Sequence, residues 1–373
     1  MSTSLTVAMR PPGAASETYL NGLIVDTLAA FDINQAFWSI LPPEDPTDPV
    51  RPLGPAGIEV LNLPTSVLRY DAVVKMAARM RDLQPDIVHA RSYRVHTLVV
   101  RAAVKAGVPN IVVSFHDLRL AWHRVQICKY LREHIDSVIV LNRFMEQLYR
   151  QRIGYTDEQL VVWPNPVDLQ EYRPRDPDDG IRDELGLSAK DIVVGCVGRL
   201  VGVKGLPYLL QAIHLARAQN PRIRLVIIGS GHYRERLQDQ ARELNIHQHC
   251  IFTGKRTDIP RLLSVFDIFA LPSILEADPI ALKEAMAAGK ACVATRCGGP
   301  TVILEDERTG LLVPVENPRA LSEAIVLLAR DDDLRKRLGI NARAVAEKEY
   351  DIQTHRRRVQ ELYSGYLPEV PRP

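Results

Sequence analysis

The stretch DIFALPSILEADPIALKEAMAAGKACVAT, residues 267–295, decides how the chain folds. Its ends, DIFALP (267–272) and ACVAT (291–295), are short apolar runs of strand length. Between them a helix is expected over 279–288: Asp278 reads as a carboxylate N-cap, Pro279 as the first helical residue, and Gly289 as the stop. Short strands alternating with helices make a parallel α/β sheet.

The same alternation continues in both directions. Towards the N-terminus of this half lie IVVGCV (192–197), RLVIIG (224–229) and CIFTG (250–254), with helices near 205–218 and 234–244; GLLVP (310–314) follows. The first half repeats the plan with LTVAM (5–9), AFWSI (36–40), IEVLNL (58–63), DIVHA (86–90), IVVSF (111–115), SVIVL (137–141) and LVVW (160–163). Helices are expected near 17–31, 70–83, 96–106 and 142–152. Between the halves, PNPVDLQEYRPRDPDDG (164–180) is rich in Pro, Asp and Gly, as a linker is. The division expected is a first Rossmann-like domain over 1–168, a linker over 169–180, a second domain over 181–351, and a final helical segment over 352–373. A total of 373 residues suits two cores of about 150–200 residues each.

Composition excludes several classes of function. A net charge of +2 gives no bulk attraction for nucleic acid. Cys128, Cys196, Cys250, Cys292 and Cys297 form no CxxC pair, and no histidine spacing beside them suits zinc. An odd count without a framework fits a reducing cytoplasm. The opening MSTSLTVAMRPPG lacks a signal peptide's apolar stretch, and no run approaches the roughly 20 apolar residues of a membrane span, so a soluble cytoplasmic chain is expected.

Three segments carry chemistry. Glu276 precedes the helix at 279–288 and Glu284 lies within it, seven residues between them. A helix start at Asp278, Pro279 and Ile280 offers free N–H groups and a positive dipole end, which suits a diphosphate. Flanking carboxylates accept hydrogen bonds from vicinal hydroxyls, yet two glutamates at this spacing also arise by chance. In VGCVGRLVGVKG (194–205), the turn after a strand carries Gly198, Arg199 and Lys204, two cations that either offset a leaving group's charge or stand as ordinary surface charges. In SFHDLRLAWHR (114–124), His116 and Asp117 follow a strand; a lone histidine there is usually structural or solvated.

Together these segments resemble the large retaining glycosyltransferase family with paired glutamates, glycosyltransferase family 4-like. Pro272, Ser273, Glu276, Glu284, Ala285, Met286, Ala287 and Gly289 match its signature, with Ala277 and Asp278 where the family usually has Gly-Phe. Gly198, Arg199, Lys204 and Gly205 resemble its phosphate motif. The segment 227–237 resembles its Gly-x-Gly strand end, although Arg234 stands where a dinucleotide fingerprint has its third glycine. RCGGP (296–300) resembles its Gly-Gly turn, with Val302 replacing a usual glutamate, and WPNPVD (163–168) its interdomain motif, with Pro166 replacing glycine. The resemblance spans nearly the whole chain and is most specific between Trp163 and Pro314.

The resemblance implies a GT-B fold: two facing Rossmann-like domains with a cleft between them, and a C-terminal helix crossing back to the first. It implies that Glu276 meets the donor sugar's hydroxyls and Glu284 the ribose hydroxyls. Arg199 and Lys204 meet the diphosphate, Gly254 and Lys255 lie near the base, and His116 faces the donor sugar. Gly13, in PPGAASETYLNGLI (11–24), is a donor-binding candidate whose loop would bring backbone N–H groups toward the phosphates, and it resembles the glycine-rich acceptor loop, with Ala14 where a second glycine is common; Glu17 reads equally as a helix-start carboxylate or an acceptor ligand.

The reading is transfer of a hexosyl unit from a nucleoside-diphosphate sugar to a hydroxyl acceptor, saccharide or lipid-linked, with retention and with neither metal nor cofactor. The acidic DPTDP (45–49) and DPDDG (176–180) read as solvent-facing turns and not metal ligands. Cations and aromatics interleave in LRLAWHRVQICKYLREH (118–134), and HRRR (355–358) adds charge to the last helix, which the crossing-back topology would bring beside the first cluster. Such faces either meet an anionic membrane or remain solvated. The rival readings are a nucleotide-sugar epimerase or a phosphorylase of the same fold, the latter usually requiring pyridoxal phosphate, and a catalytically silent nucleotide-binding scaffold.

Overall fold

The protein is described by a computed structural model over residues 2–8, 28, 33–39, 58–61, 70–91, 93–118, 120–368 and 370–371. The chain divides into two compact units, one of residues 1–166 with 353–373, the other of residues 167–352.

The first unit holds a seven-stranded sheet of β1 (Ser2–Ala8), β2 (Ile33–Ser39), β3 (Ile58–Val60), β4 (Ile87–Arg91), β5 (Asn110–Phe115), β6 (Ser137–Val140) and β7 (Leu160–Val162). Every pairing is parallel, in the order β3-β2-β1-β4-β5-β6-β7. His89, Val112 and Ser137 stand side by side across β4, β5 and β6, so their side chains share one face. The C-terminal helix Ile352–Ser364 and the residues after it cover that face. Tyr363 Oη lies 2.9 Å from His89 Nδ1, Tyr366 Oη lies 2.6 Å from Ser137 Oγ, and Trp163 Nε1 donates to His355 Nδ1 at 2.8 Å. Phe115, of opposite parity, turns to the other face and meets the rings of His96 and Tyr149 at 5.2 and 4.8 Å. The helix Trp122–Leu131 packs there, against Tyr93–Ala106 and Arg143–Ile153. The run 355–358 and the segment around 120–132 therefore lie on opposite faces of the sheet, which corrects the expectation that the two basic clusters adjoin.

The second unit holds β8 (Ile192–Val197), β9 (Ile223–Ile228), β10 (Cys250–Gly254), β11 (Ile268–Leu271), β12 (Ala291–Thr295) and β13 (Leu311–Val313), all parallel, in the order β10-β9-β8-β11-β12-β13. Both faces are covered. Val194, Cys196, Leu225, Ile227, Ile268 and Ala270 enter one core, while Val193, Val226, Ile228, Phe269 and Leu271 enter the other. Burial on both faces explains why these strands read as continuous apolar runs and do not alternate. All five cysteines are buried and unpaired. A short helix, Asp179–Glu184, capped by the Asp178 carboxylate, begins inside the stretch expected as linker.

In an open parallel sheet, ligands bind beyond the strands' C-terminal ends where the strand order reverses. In the second sheet that point lies between β8 and β11.

Candidate functional site

At that reversal, the loop after β8 carries Gly198 and Arg199, a 3-10 turn over Gly202–Lys204, and then the helix Leu206–Gln219. Gly205 sits at φ +63°, and a Cβ there would come within 1.9 Å of the Pro272 carbonyl oxygen, so only glycine lets this turn press against the loop after β11. The Ile274 amide donates to the Val203 carbonyl at 2.8 Å and fastens the two loops together. A third loop joins them: the Glu276 amide donates to Cys297 O at 3.1 Å, and the Gly299 amide donates to Glu276 O at 2.8 Å. A side chain at Gly299 would strike the Ala277 carbonyl at 2.0 Å. Two close backbone approaches thus set where Lys204 and Glu276 stand.

Lys204 is ion-paired with Glu276, and Ser273 Oγ donates to the same carboxylate oxygen at 3.1 Å. Arg199 is exposed and makes no ion pair among the described residues. A pocket at the ends of β8, β9 and β11 is lined by Gly198, Arg199, Lys204, Ile227, Leu271 and Ser273, among others. Arg199 and Lys204 stand at its rim, Lys204 turned to Glu276.

The helix that follows runs Ile280–Ala287, with Pro279 at the cap position. It opens one residue later than the sequence predicts. Asp278 also does not cap it, because its carboxylate is held by Lys283 Nζ at 2.5 and 2.6 Å. Both side chains are fully buried, and the Lys283 ammonium stands 4.3 Å from the centre of the Tyr350 ring. A carboxylate committed to this pair is not presented to a donor, so any part for Asp278, Pro279 and Ile280 falls to the backbone. Gly289, at φ +71°, follows the helix end as expected. On the helix, Glu284 is half-buried in dense protein surroundings. Burial raises its carboxyl from the usual value of 4.5 to about 7, with a hydrogen bond from the Tyr172 side chain drawing it back down and the Glu171 charge adding to the rise.

The remaining predicted residues are placed as follows. Gly254 ends β10, and its carbonyl accepts from the Gly229 amide at 2.8 Å; Lys255 beside it is exposed. Arg234, where a dinucleotide fingerprint would have glycine, donates to Phe252 O at 3.0 Å. Val302 is 44% exposed. In the first unit, His116 follows β5 directly; burial first and the Arg91 charge second lower its pKa to about 3, so the imidazole is neutral. Gly13 and Glu17 lie outside the described residues. Sequence reasoning placed Ser273 in the family signature without a role and assigned nothing to Tyr172 or Lys283. For Lys283 there was a signal, a lysine inside an otherwise apolar helix face five residues after an aspartate.

Two parallel α/β units, with a pocket bordered by Arg199 and Lys204 at the strand-order reversal of the second, are the plan of the GT-B fold. Residues 178–345 match glycosyl transferases group 1, and residues 38–171 match glycosyltransferase family 4. The chain belongs to this glycosyltransferase family. It is 30% identical over 346 residues to D-inositol 3-phosphate glycosyltransferase of Corynebacterium urealyticum, across 84% of this chain and 79% of that one. To the GDP-mannose-dependent alpha-(1-6)-phosphatidylinositol monomannoside mannosyltransferase of Mycolicibacterium smegmatis it is 29% identical, across 83% of this chain and 85% of the relative. Among solved structures, Anabaena Alr3699/HepE in complex with UDP and glucose superposes with a TM-score of 0.81 at 21% identity, across 98% of this chain and 100% of that one.

Proposed function

We propose that the protein transfers a hexosyl unit from a nucleoside-diphosphate sugar to a hydroxyl acceptor, with retention and without a metal ion, in the synthesis of a cell-surface polysaccharide or glycolipid. The observation that carries this reading is the pocket at the β8–β11 reversal, where Arg199 and Lys204 converge beside a helix start. Departure of a nucleoside diphosphate builds negative charge on the β-phosphate. Arg199 and Lys204, with the first-turn amides of the helix that opens at Ile280, offset it without a metal. The acceptor oxygen attacks C1 from the side the diphosphate leaves, and its proton passes to the departing phosphate oxygen, so no protein nucleophile is required. Glu284 holds the ribose hydroxyls, Glu276 the sugar hydroxyls, and Gly254 with Lys255 borders the base. His116 is assigned to the donor sugar, and Gly13 to the acceptor loop, on the family resemblance alone.

The Mycolicibacterium relative's name gives GDP-mannose and a phosphatidylinositol monomannoside acceptor, and the Corynebacterium relative's gives D-inositol 3-phosphate, so a lipid-linked and a soluble hydroxyl acceptor both fit, the former with peripheral attachment to an anionic leaflet. The deciding experiment is transfer from UDP-, GDP- and ADP-sugars in the presence of EDTA, with the anomeric configuration of the product read by NMR. Turnover with one donor class and a retained anomer is expected. Interconversion of the sugar without an acceptor would identify an epimerase, and binding without turnover a scaffold.

A further inference from the structure

Within the second unit, the cation assigned to the diphosphate and the carboxylate assigned to the sugar are committed to each other. Lys204 pairs with Glu276, whose side chains are only 21% and 12% exposed, so water screens the pair weakly. The carboxylate is not free to drift away. Ser273 Oγ holds the same oxygen at 3.1 Å, and the Glu276 backbone is bonded on both sides to the 297–299 turn. Arg199, the other cation of the pocket, is exposed and has no carboxylate partner among the described residues. The two cations therefore meet an incoming diphosphate in different states, one available and one already neutralised.

We propose that Glu276 is an internal competitor for Lys204, a role that rests on the reading of the pocket given above. A diphosphate must displace the carboxylate before Lys204 can serve it, and that exchange opposes binding. An intact donor compensates, because the displaced carboxylate takes the hydroxyls of the sugar. The spent nucleotide has no sugar to offer, so Glu276 returns to Lys204 and pushes the diphosphate out. One ion pair thereby discriminates the donor from the product that shares its nucleotide, and it speeds product release.

The test is calorimetry with free UDP, GDP and ADP, continued with whichever the wild type binds and with the matching intact nucleotide sugar. Glu276→Gln keeps the shape and removes the charge. It is expected to bind the free nucleotide about three- to tenfold more tightly, the scale of a partly screened ion pair, and to bind the intact donor no more tightly. In a Lys204→Met background the same substitution should change nucleotide affinity less than about twofold, because no lysine remains to compete for. An unchanged or weaker affinity for Glu276→Gln overturns the proposal. So does an equal gain in both backgrounds, which would make Glu276 merely a repelling charge. If the wild type binds none of the three nucleotides, the pocket reading itself fails, and that result is separable from the others. Thermal unfolding checks that each variant is folded. Should Glu276→Gln not fold, Ser273→Ala loosens the same carboxylate and is expected to shift nucleotide affinity the same way by a smaller factor.

Discussion

Glu284 and the two pocket cations make predictions that belong to single residues. A carboxyl raised to about 7 by burial is half protonated in neutral buffer, whereas ribose hydroxyls are best accepted by the ionised form. Nucleotide binding must then expel a proton below that pH, and affinity is expected to fall by at most about tenfold per pH unit between about pH 7 and about pH 5. Glu284→Gln should flatten that part of the profile. The nucleotide's own phosphate ionisation near about pH 6 is common to both proteins and cancels in the comparison. Calorimetry across the range is the measurement, and identical slopes would remove Glu284 from the ribose site. The sign for stability is opposite. The folded value lies above the free one, so the penalty of the ionised form is full above about 7 and fades as the pH falls towards 4.5. Arg199→Ala and Lys204→Ala address the leaving group instead. Each should lower turnover by roughly 10²–10³-fold, since each withdraws one cation from the departing diphosphate, and Arg199→Ala, which breaks no ion pair among the described residues, should leave unfolding unchanged. Steady-state kinetics with the best donor reads this directly, and wild-type turnover in either variant would withdraw that residue from the diphosphate.

At the scale of elements, the helix Ile280–Ala287 is fixed by a device that local patterning hides. Asp278 and Lys283 neutralise each other with no solvent contact, and Tyr350, at the end of the helix Asp332–Glu349, covers the ammonium. Replacing one partner, as in Lys283→Met, strands a buried charge and should cost about 3–5 kcal/mol in urea denaturation. Removing both, with Asp278→Leu and Lys283→Met, should recover most of that loss, since a buried pair is weak evidence of net stability. This pair marks the limit of what the sequence discloses. Parallel strands and the Gly205 and Gly289 boundaries were legible because periodicity and turn chemistry are local. The destination of the Asp278 carboxylate was not, because capping and pairing present the same residue type at the same position, and only packing selects between them. The two basic clusters failed for a related reason: which face of a sheet a helix covers follows from strand parity across a register, not from charge. The helix Trp122–Leu131 still presents Trp122 and Tyr130, 77% and 79% exposed, with Lys129 between them, while Val125, Cys128 and Leu131 face inward. Acting without the opposite-face arginines, it should hold the protein on anionic vesicles only weakly, with attraction fading as salt shortens electrostatic reach to about 8 Å. Trp122→Ala should reduce vesicle co-sedimentation at low salt; the absence of any binding there would return this face to solvent.

On the scale of the whole chain, the two units are built from the sequence in different ways. Residues 167–352 are continuous, and their sheet has both faces covered from within that span. The first unit is interrupted. The chain leaves it after 166 and returns at 353, so one face of its sheet waits for residues synthesised after the whole second unit. That face needs them for polar as well as apolar reasons. Val359, Tyr363 and Leu367 cover Ile87, Val112, Ile139 and Trp163, and Tyr363, Tyr366 and His355 satisfy His89, Ser137 and the Trp163 indole. Truncation after residue 352 would therefore uncover Ile87, Val112, Ile139 and Trp163, at about 1.5–3 kcal/mol for each large apolar side chain left in water, and remove the C-terminal partners of His89, Ser137 and the Trp163 indole. Those losses alone approach the whole stability of a typical domain, about 5–15 kcal/mol. Truncated protein should lose the cooperative unfolding of the first unit while the second still melts as a unit, which calorimetry and hydrogen exchange resolve separately. Acid should reach the same unit by another route. His89 and His96 are buried and their pKa values are held down by burial, His96 to about 4, so the unfolded chain binds more protons below about 6.5. Stability contributed by the neutral rings is complete above that pH and is lost as the pH falls towards the folded values, by up to about 1.4 kcal/mol per pH unit for each ring. Urea denaturation at a series of pH values, followed by hydrogen exchange of β4 and β5 against β8 and β9, should show the first unit weakening earlier on acidification. Simultaneous loss of both units, or earlier loss of the second, would mean that the buried histidines do not govern acid sensitivity.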